Sequence, residues 1–199
     1  VSILKSPNDP KNGYLYYKQF SPVLIVQDTN RKVMCRKQSR VCMEINYREA
    51  TIKDSDIIGS LVVELTTEIS ELTKNQHFDI DINQTIQRCH KLIKDGHYSA
   101  IIGVYENTPI AVVTMSETYA LYAGGKIGVV QEFYVSPEFR AYGVGSKLIK
   151  QVQKYGNKHN WSCIELCTPP LPEFERTLNF YQKNGLVPVG GRKMRQVLV

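Results

Sequence analysis

The chain predicts an α/β fold, an α+β arrangement of helices on one mixed sheet, preceded by a short β-rich extension. Three observations carry the prediction. From about Ile45 onward, strand-like and helix-like apolar patterns alternate along the sequence. An apolar run over 127–135 leads through a turn into a loop with Gly143 and Gly145, which opens directly into an amphipathic helix. A length of 199 residues with 42% apolar composition is enough for one good core and a small appendage.

The elements follow in order. Residues 1–44 offer three short strands, at 14–20, 23–27 and 32–35, with Asp28-Thr29-Asn30 as a turn. Three such strands bury little by themselves, so they are expected to lean on the main domain by extending its sheet, covering its edge or mediating homodimerisation. The domain proper is expected over 45–199. It begins with a strand at 45–51 and a helix capped by Asp54 that carries Ile57, Ile58, Leu61, Val62 and Leu65. A second helix is predicted at 82–94, then strands at 98–105 and 109–116 joined by Glu106-Asn107-Thr108 as a hairpin. After a tip at Ala123-Gly124-Gly125, a central strand runs over 127–135, its apolar character broken only by Gln131 and Glu132. The next helix puts Val144, Leu148, Val152 and Tyr155 on one face. A strand at 161–167, a helix at 172–184 and a last strand at 186–199, interrupted by Gly190-Gly191, complete the order β-α-α-β-β-β-α-β-α-β.

Charge is unevenly spread. Residues 1–50 hold nine Lys/Arg against four Asp/Glu, or +5, and residues 51–199 hold sixteen against fifteen, or +1. The excess centres on Arg31, Lys32, Arg36, Lys37 and Arg40. That cluster suits nucleic acid or cofactor phosphates, but no nucleic-acid-binding motif surrounds it, and a solvated hairpin face is the favoured reading. No apolar stretch approaches the ~20 residues that span a bilayer, and the start does not resemble a signal peptide, so a soluble, cytoplasmic protein is expected. The five cysteines, 35, 42, 89, 163 and 167, form no Cys-x-x-Cys pair. Neither a disulfide framework nor structural zinc is expected, and Cys163 and Cys167 read as small buried hydrophobes in a strand. The four histidines show no metal-ligand spacing, so no metal is expected.

The glycine loop carries the chemistry. Gly143 and Gly145 let backbone approach a ligand with no β-carbon in the way, and the first N–H groups of the following helix have no internal partners. An anion is the natural occupant of such a place. No Gly-Lys-Ser/Thr triplet makes it a P-loop, and no third glycine three residues after Gly145 makes it a Rossmann turn. What stands there is Arg140-x-x-Gly143-x-Gly145 behind Tyr134-Val135-x-Pro137. This resembles the acetyl-CoA-binding motif of the GNAT N-acetyltransferase superfamily, Arg/Gln-x-x-Gly-x-Gly/Ala after a strand ending in Val-x-Pro. The segment from Phe174 through Tyr181 to Gly185-Leu186 is similar to that family's Phe-Tyr-x-x-x-Gly-Phe signature, with Leu186 in place of the common Phe. Thr168-Pro-Pro-Leu-Pro-Glu-Phe-Glu-Arg and Gly190-Gly-Arg-Lys look like a subgroup of bacterial members of unassigned substrate. The likeness spans 45–199, and nothing before Ile45 shares it.

The resemblance implies a GNAT fold and an N-acetyltransferase that moves an acetyl group from acetyl-CoA to a primary amine by direct attack in a ternary complex. It implies that Phe133, Tyr134 and Val135 hold the pantetheine arm, that Arg140, Ala141, Tyr142, Gly143, Val144, Gly145 and Ser146 wrap the pyrophosphate, and that Asn179 contacts the cofactor. Tyr181 matches the family tyrosine that protonates the departing thiolate. A phenol has an ordinary pKa of about 10, near that of an alkyl thiol, which suits the transfer. Phe174, Leu178 and Tyr181 also recur at helical spacing, as a core stripe would. Glu132, a carboxylate in an apolar strand, is expected to face a wet cleft. It is the candidate base, acting directly, through water or as an attractor of cationic substrate; pairing with a nearby Lys or Arg explains it equally well. The alternative for the whole chain is a GNAT-shaped CoA sensor, or an RNA- or protein-binding module, without turnover.

Overall fold

Asn46–Glu49 (β1), Ser99–Tyr105 (β2), Thr108–Ala120 (β3), Gly125–Val135 (β4) and Ile164–Leu166 (β5) form one sheet in that spatial order. All neighbouring pairs are antiparallel except β4 and β5, which are parallel. The computed structural model describes residues 43–74, 81–189 and 196. The predicted strands of the N-terminal segment, its basic cluster, and Cys35, Cys42 and His77 lie outside these residues.

Helices cover both faces. Ser55–Thr73 (α1) and Ile82–Lys94 (α2) follow β1, and Ile58, Leu61 and Cys89 pack on Ala100, Ile102, Val112 and Tyr134. Val144–Lys158 (α3) covers the other face, where Val144, Leu148 and Val152 meet Ile101, Ala111, Val113, Met115 and Val130. The predicted stripe of α3 is therefore its buried side. Trp161 completes that core by lying flat where two glycines make room: a Cβ on Gly128 would come within 2.0 Å of its ring, and one on Gly156 within 2.8 Å. Glu175–Lys183 (α4) follows β5. Among the described residues no helix is long and apolar enough to cross a membrane, and no three His, Cys, Asp or Glu side chains stand together as a metal site.

Five details depart from the sequence expectation. Asp54 precedes α1, but its carboxylate turns back rather than capping the helix. It accepts from the Thr51 N–H at 2.7 Å and from both Arg48 amino groups at 2.6 and 2.9 Å. The Arg48 guanidinium, ahead of the Thr51 donors, holds this carboxyl well below the usual carboxylate range. The hairpin turn is only Glu106-Asn107, both left-handed at φ 46° and 67°, and Thr108 already belongs to β3. The strand predicted over 161–167 shortens to three residues, leaving Cys163 half-buried and Cys167 exposed rather than buried. Pro169, Pro170 and Pro172, which lack the N–H a ladder needs, follow at once. The helix predicted over 172–184 starts at Glu175, three residues past Pro172. Residues 186–189 make no strand; Pro188 stands among them, Val187 and Val189 are exposed, and Gly190-Gly191 lies outside the described residues.

Candidate functional site

Strands β4 and β5 pair only from Gly128 to Val130, opposite Ile164 to Leu166. Beyond Val130, β4 keeps its ladder to β3 as far as Val135, while among the described residues no strand pairs with its other edge there. The pairing fails because the chain after Leu166 enters the proline-rich turn. A cavity of about 360 Å³ opens at this divergence. Its walls are Leu65, Glu68 and Ile69 of α1, Gln131, Phe133, Tyr134 and Val135 of β4, and Leu166, Cys167 and Pro169 on the far side. Arg140, Ala141 and Gly145 form its rim, and Phe174, Arg176, Thr177, Phe180 and Tyr181 close it.

The loop has the shape an anion cradle needs. Ala141 and Gly143 are left-handed at φ 66° and 80°, and Gly143 is the N-cap of α3. Alternation of left- and right-handed residues turns successive N–H groups toward one side. Val144 is buried in the core and anchors the helix start, while the N–H groups of its first turn have no partner within the helix. The Tyr47 hydroxyl donates to the Val144 carbonyl at 3.0 Å, and burial pushes that phenol up to about 12. Gly145 lies close to Phe180: a Cβ there would stand 2.9 Å from Cζ, so the tip of the ring would have to shift. The backbone approach at Gly145 is one that any side chain would fill.

Arg140 does more than lead the loop. Its Nε donates to the Val135 carbonyl at 2.7 Å, its two amino groups grip Glu68 of α1 at 2.8 and 2.6 Å, and its guanidinium lies over the Tyr134 ring, 5.4 Å from the centroid. The arginine charge is thus matched by Glu68, and the side chain ties the end of β4 to α1. Tyr181 is 8% exposed and stands edge-on to Phe133, with ring centroids 5.9 Å apart. Burial pushes its phenol above the ordinary value, so the hydroxyl stays protonated and available as a donor.

Of the predicted site residues, Phe133, Tyr134, Val135, Arg140, Ala141, Gly145 and Tyr181 come together around the cavity. Gly143, Val144 and Ser146 belong to the adjoining helix start, Tyr142 is 66% exposed beside it, and Asn179 is exposed on α4. Glu132 is half-buried and outside the lining of this cavity. It faces the α1/α2 side, where the Thr114 hydroxyl donates to its carboxylate and accepts its N–H at 3.1 Å. Sequence reasoning missed Glu68, Thr114 and Phe180. Glu68 lies 72 residues from Arg140, and no local pattern marks either the pair or the threonine.

A sequence model described as "Acetyltransferase (GNAT) family" matches residues 62–186. A search of curated proteins finds no match. Solved structures similar to this chain include a predicted acetyltransferase with acetyl-CoA from Clostridium acetobutylicum, 16% identical, covering 77% of this chain and 96% of its own, with TM-score 0.62. An aminoglycoside N-acetyltransferase in complex with CoA is 16% identical, covers 77% and 95%, and has TM-score 0.63. A ribosomal-protein-alanine N-acetyltransferase from Brucella melitensis biovar Abortus 2308 is 15% identical, covers 77% and 100%, and has TM-score 0.59.

Proposed function

The chain belongs to the GNAT acetyltransferase family, and from that premise we propose that it transfers an acetyl group from acetyl-CoA to a primary amine by direct attack in a ternary complex. One observation carries the reading. The divergence of β4 from β5 opens a cavity that has the buried Tyr181 in its wall and a glycine helix start at its rim. The N–H groups of Val144, Gly145 and Ser146 suit a pyrophosphate, and the edge of β4 from Gln131 to Val135 suits the pantetheine amides.

In this reading, an ammonium acceptor enters on the α1/α2 side and gives a proton to Glu132. The free amine attacks the thioester carbonyl carbon, and a C–N bond forms. A backbone N–H near Val135 stabilises the oxyanion, the kind of contact that commonly supplies the largest catalytic contribution. The C–S bond then breaks, and Tyr181 gives its phenolic proton to the thiolate. The second proton leaving nitrogen restores the phenol by way of solvent. Burial that raises the phenol acts in the same direction on a thiolate in the same cavity.

The test is acetyl-CoA consumption with a panel of diamines, polyamines, amino acids, aminoglycosides and peptides. Two of the similar structures are named for aminoglycosides and for an alanine of a ribosomal protein, so both classes belong in the panel. Amine-dependent release of free thiol supports the reading. CoA binding without thioester consumption by any acceptor favours a CoA sensor instead.

A further inference from the structure

Thr114 sits in β3 between Val113 and Met115, and is itself 1% exposed. A hydroxyl buried that deeply needs partners. Both of its partners belong to one residue. Its oxygen accepts the Glu132 N–H at 3.1 Å, and its proton goes to Glu132 Oε2. Because lone pairs face the amide, the single hydroxyl proton is directed at the carboxylate.

The sheet explains why the two residues meet. Thr114 pairs with Glu132, but the next residue, Met115, pairs with Val130, so Gln131 is extra and the ladder shifts by one. In regular β-structure residues 130, 132 and 134 share a face. Here Val130 packs in the α3 core while Tyr134 packs in the α1/α2 core. The bulge turns Glu132 toward the α1/α2 face, as bulges re-aim side chains elsewhere, and Thr114 takes the amide that the interrupted ladder leaves. The groups facing the carboxylate include Cys89 of α2 and Tyr98 just before β2, and Glu64 and Glu68 of α1 act on Tyr134 next along the same face. Burial pushes the Cys89 thiol up to about 11 and the Tyr98 phenol higher still, so neither carries charge at neutral pH.

Resting on the reading that Glu132 takes the acceptor's proton, we propose that Thr114 is a positioning residue that sets both the direction and the proton affinity of the Glu132 carboxylate. A donor to the charged form lowers a carboxyl's proton affinity, so removing it raises that affinity.

The experiment is a carbon-13 NMR pH titration of the full chain labelled at the glutamate carboxyl carbons, with the Glu132 signal identified by its loss in Glu132→Gln. Thr114→Val keeps the shape and removes the hydroxyl, and its Glu132 midpoint is expected to rise by about one pH unit, tenfold in proton affinity. Thr114→Ser is expected to restore the original midpoint, which a merely structural role does not require. An unchanged midpoint in Thr114→Val, or an equal rise in Thr114→Ser, overturns the proposal. Thr114→Ala gives the same reading if valine does not fold: a rise supports the contact and an unchanged midpoint overturns it. Amine-dependent turnover of Glu132→Gln is measured separately, so that unchanged turnover there defeats the base reading while the titration still decides the contact.

Discussion

Replacing Gly145 with alanine places a methyl carbon 2.9 Å from Cζ and 3.1 Å from Cε2 of Phe180. Ordinary carbon contacts lie at about 3.5–4.0 Å, so the ring must retreat by roughly 0.5–1 Å. Cζ is the far tip of a half-buried side chain, and it can move. The ring rests against Phe133 and Tyr181, however, with centroids 5.8 and 5.2 Å away, and all three line the cavity. Alanine gains up to about 1 kcal/mol over glycine in a helix, while overpacking costs typically about 1–3 kcal/mol. A movable ring puts the overpacking at the low end, so stability should change by about 1 kcal/mol or less. Affinity suffers more, because the displaced ring and the new methyl group narrow the place where the cofactor has to lie. We expect Gly145→Ala to weaken CoA binding several-fold and Gly145→Leu at least about tenfold, or 1.4 kcal/mol. Calorimetric titration with CoA and acetyl-CoA, with thermal unfolding in parallel, measures both quantities. A correctly folded Gly145→Leu with affinity within about twofold of wild type would refute the placement of the cofactor at this helix start.

Tyr181→Phe should lower kcat by about tenfold to a few hundredfold with little change in the KM for acetyl-CoA, since its hydroxyl acts only as the thiolate leaves. A kcat within about twofold of wild type, with chemistry rate-limiting, reduces Tyr181 to a packing residue. Glu68→Gln removes the charge that holds Arg140; both side chains are about a third exposed, so screening limits the loss to about 1 kcal/mol and the fall in Tm to a few degrees. Binding of CoA should weaken with it, and unchanged Tm and Kd argue against coupling of α1 to the loop. Asp54→Asn should cost about 1–3 kcal/mol in urea unfolding at pH 7, toward the low end because Arg48 is 43% exposed. The folded carboxyl is depressed, so its contribution is present above the unfolded value of about 3.9 and is lost as pH falls through the folded one. A gap between wild type and variant that stays constant from pH 7 to pH 3 contradicts that assignment. A chain beginning at Ile45 is expected to bind CoA equally at low and high salt; loss of binding in a folded truncation would make residues 1–44 part of the site.

What the sequence determined by itself was local. The apolar period of α3, the boundaries of α2, and the glycine loop at a helix start all depend on residues within a few positions of one another, where backbone preference and amphipathic spacing act directly. The residues that make the cavity were legible only in part. Motifs mark Phe133, Gly145 and Tyr181, but the opening itself depends on β4 and β5 ending their ladder after three residue pairs, where the apolar pattern predicts seven residues for β5. Tertiary structure decided the rest, because the energies involved belong to pairs distant in the chain. Arg140 meets Glu68 only once α1 lies across the end of β4, and Trp161 meets Gly128 and Gly156 only once α3 packs on the sheet. Glu132 faces the α1/α2 side because one extra residue, Gln131, shifts a ladder between strands. Strand alternation has a period of two, so a single bulge reverses which face a side chain takes, and no local pattern in the sequence marks where that happens.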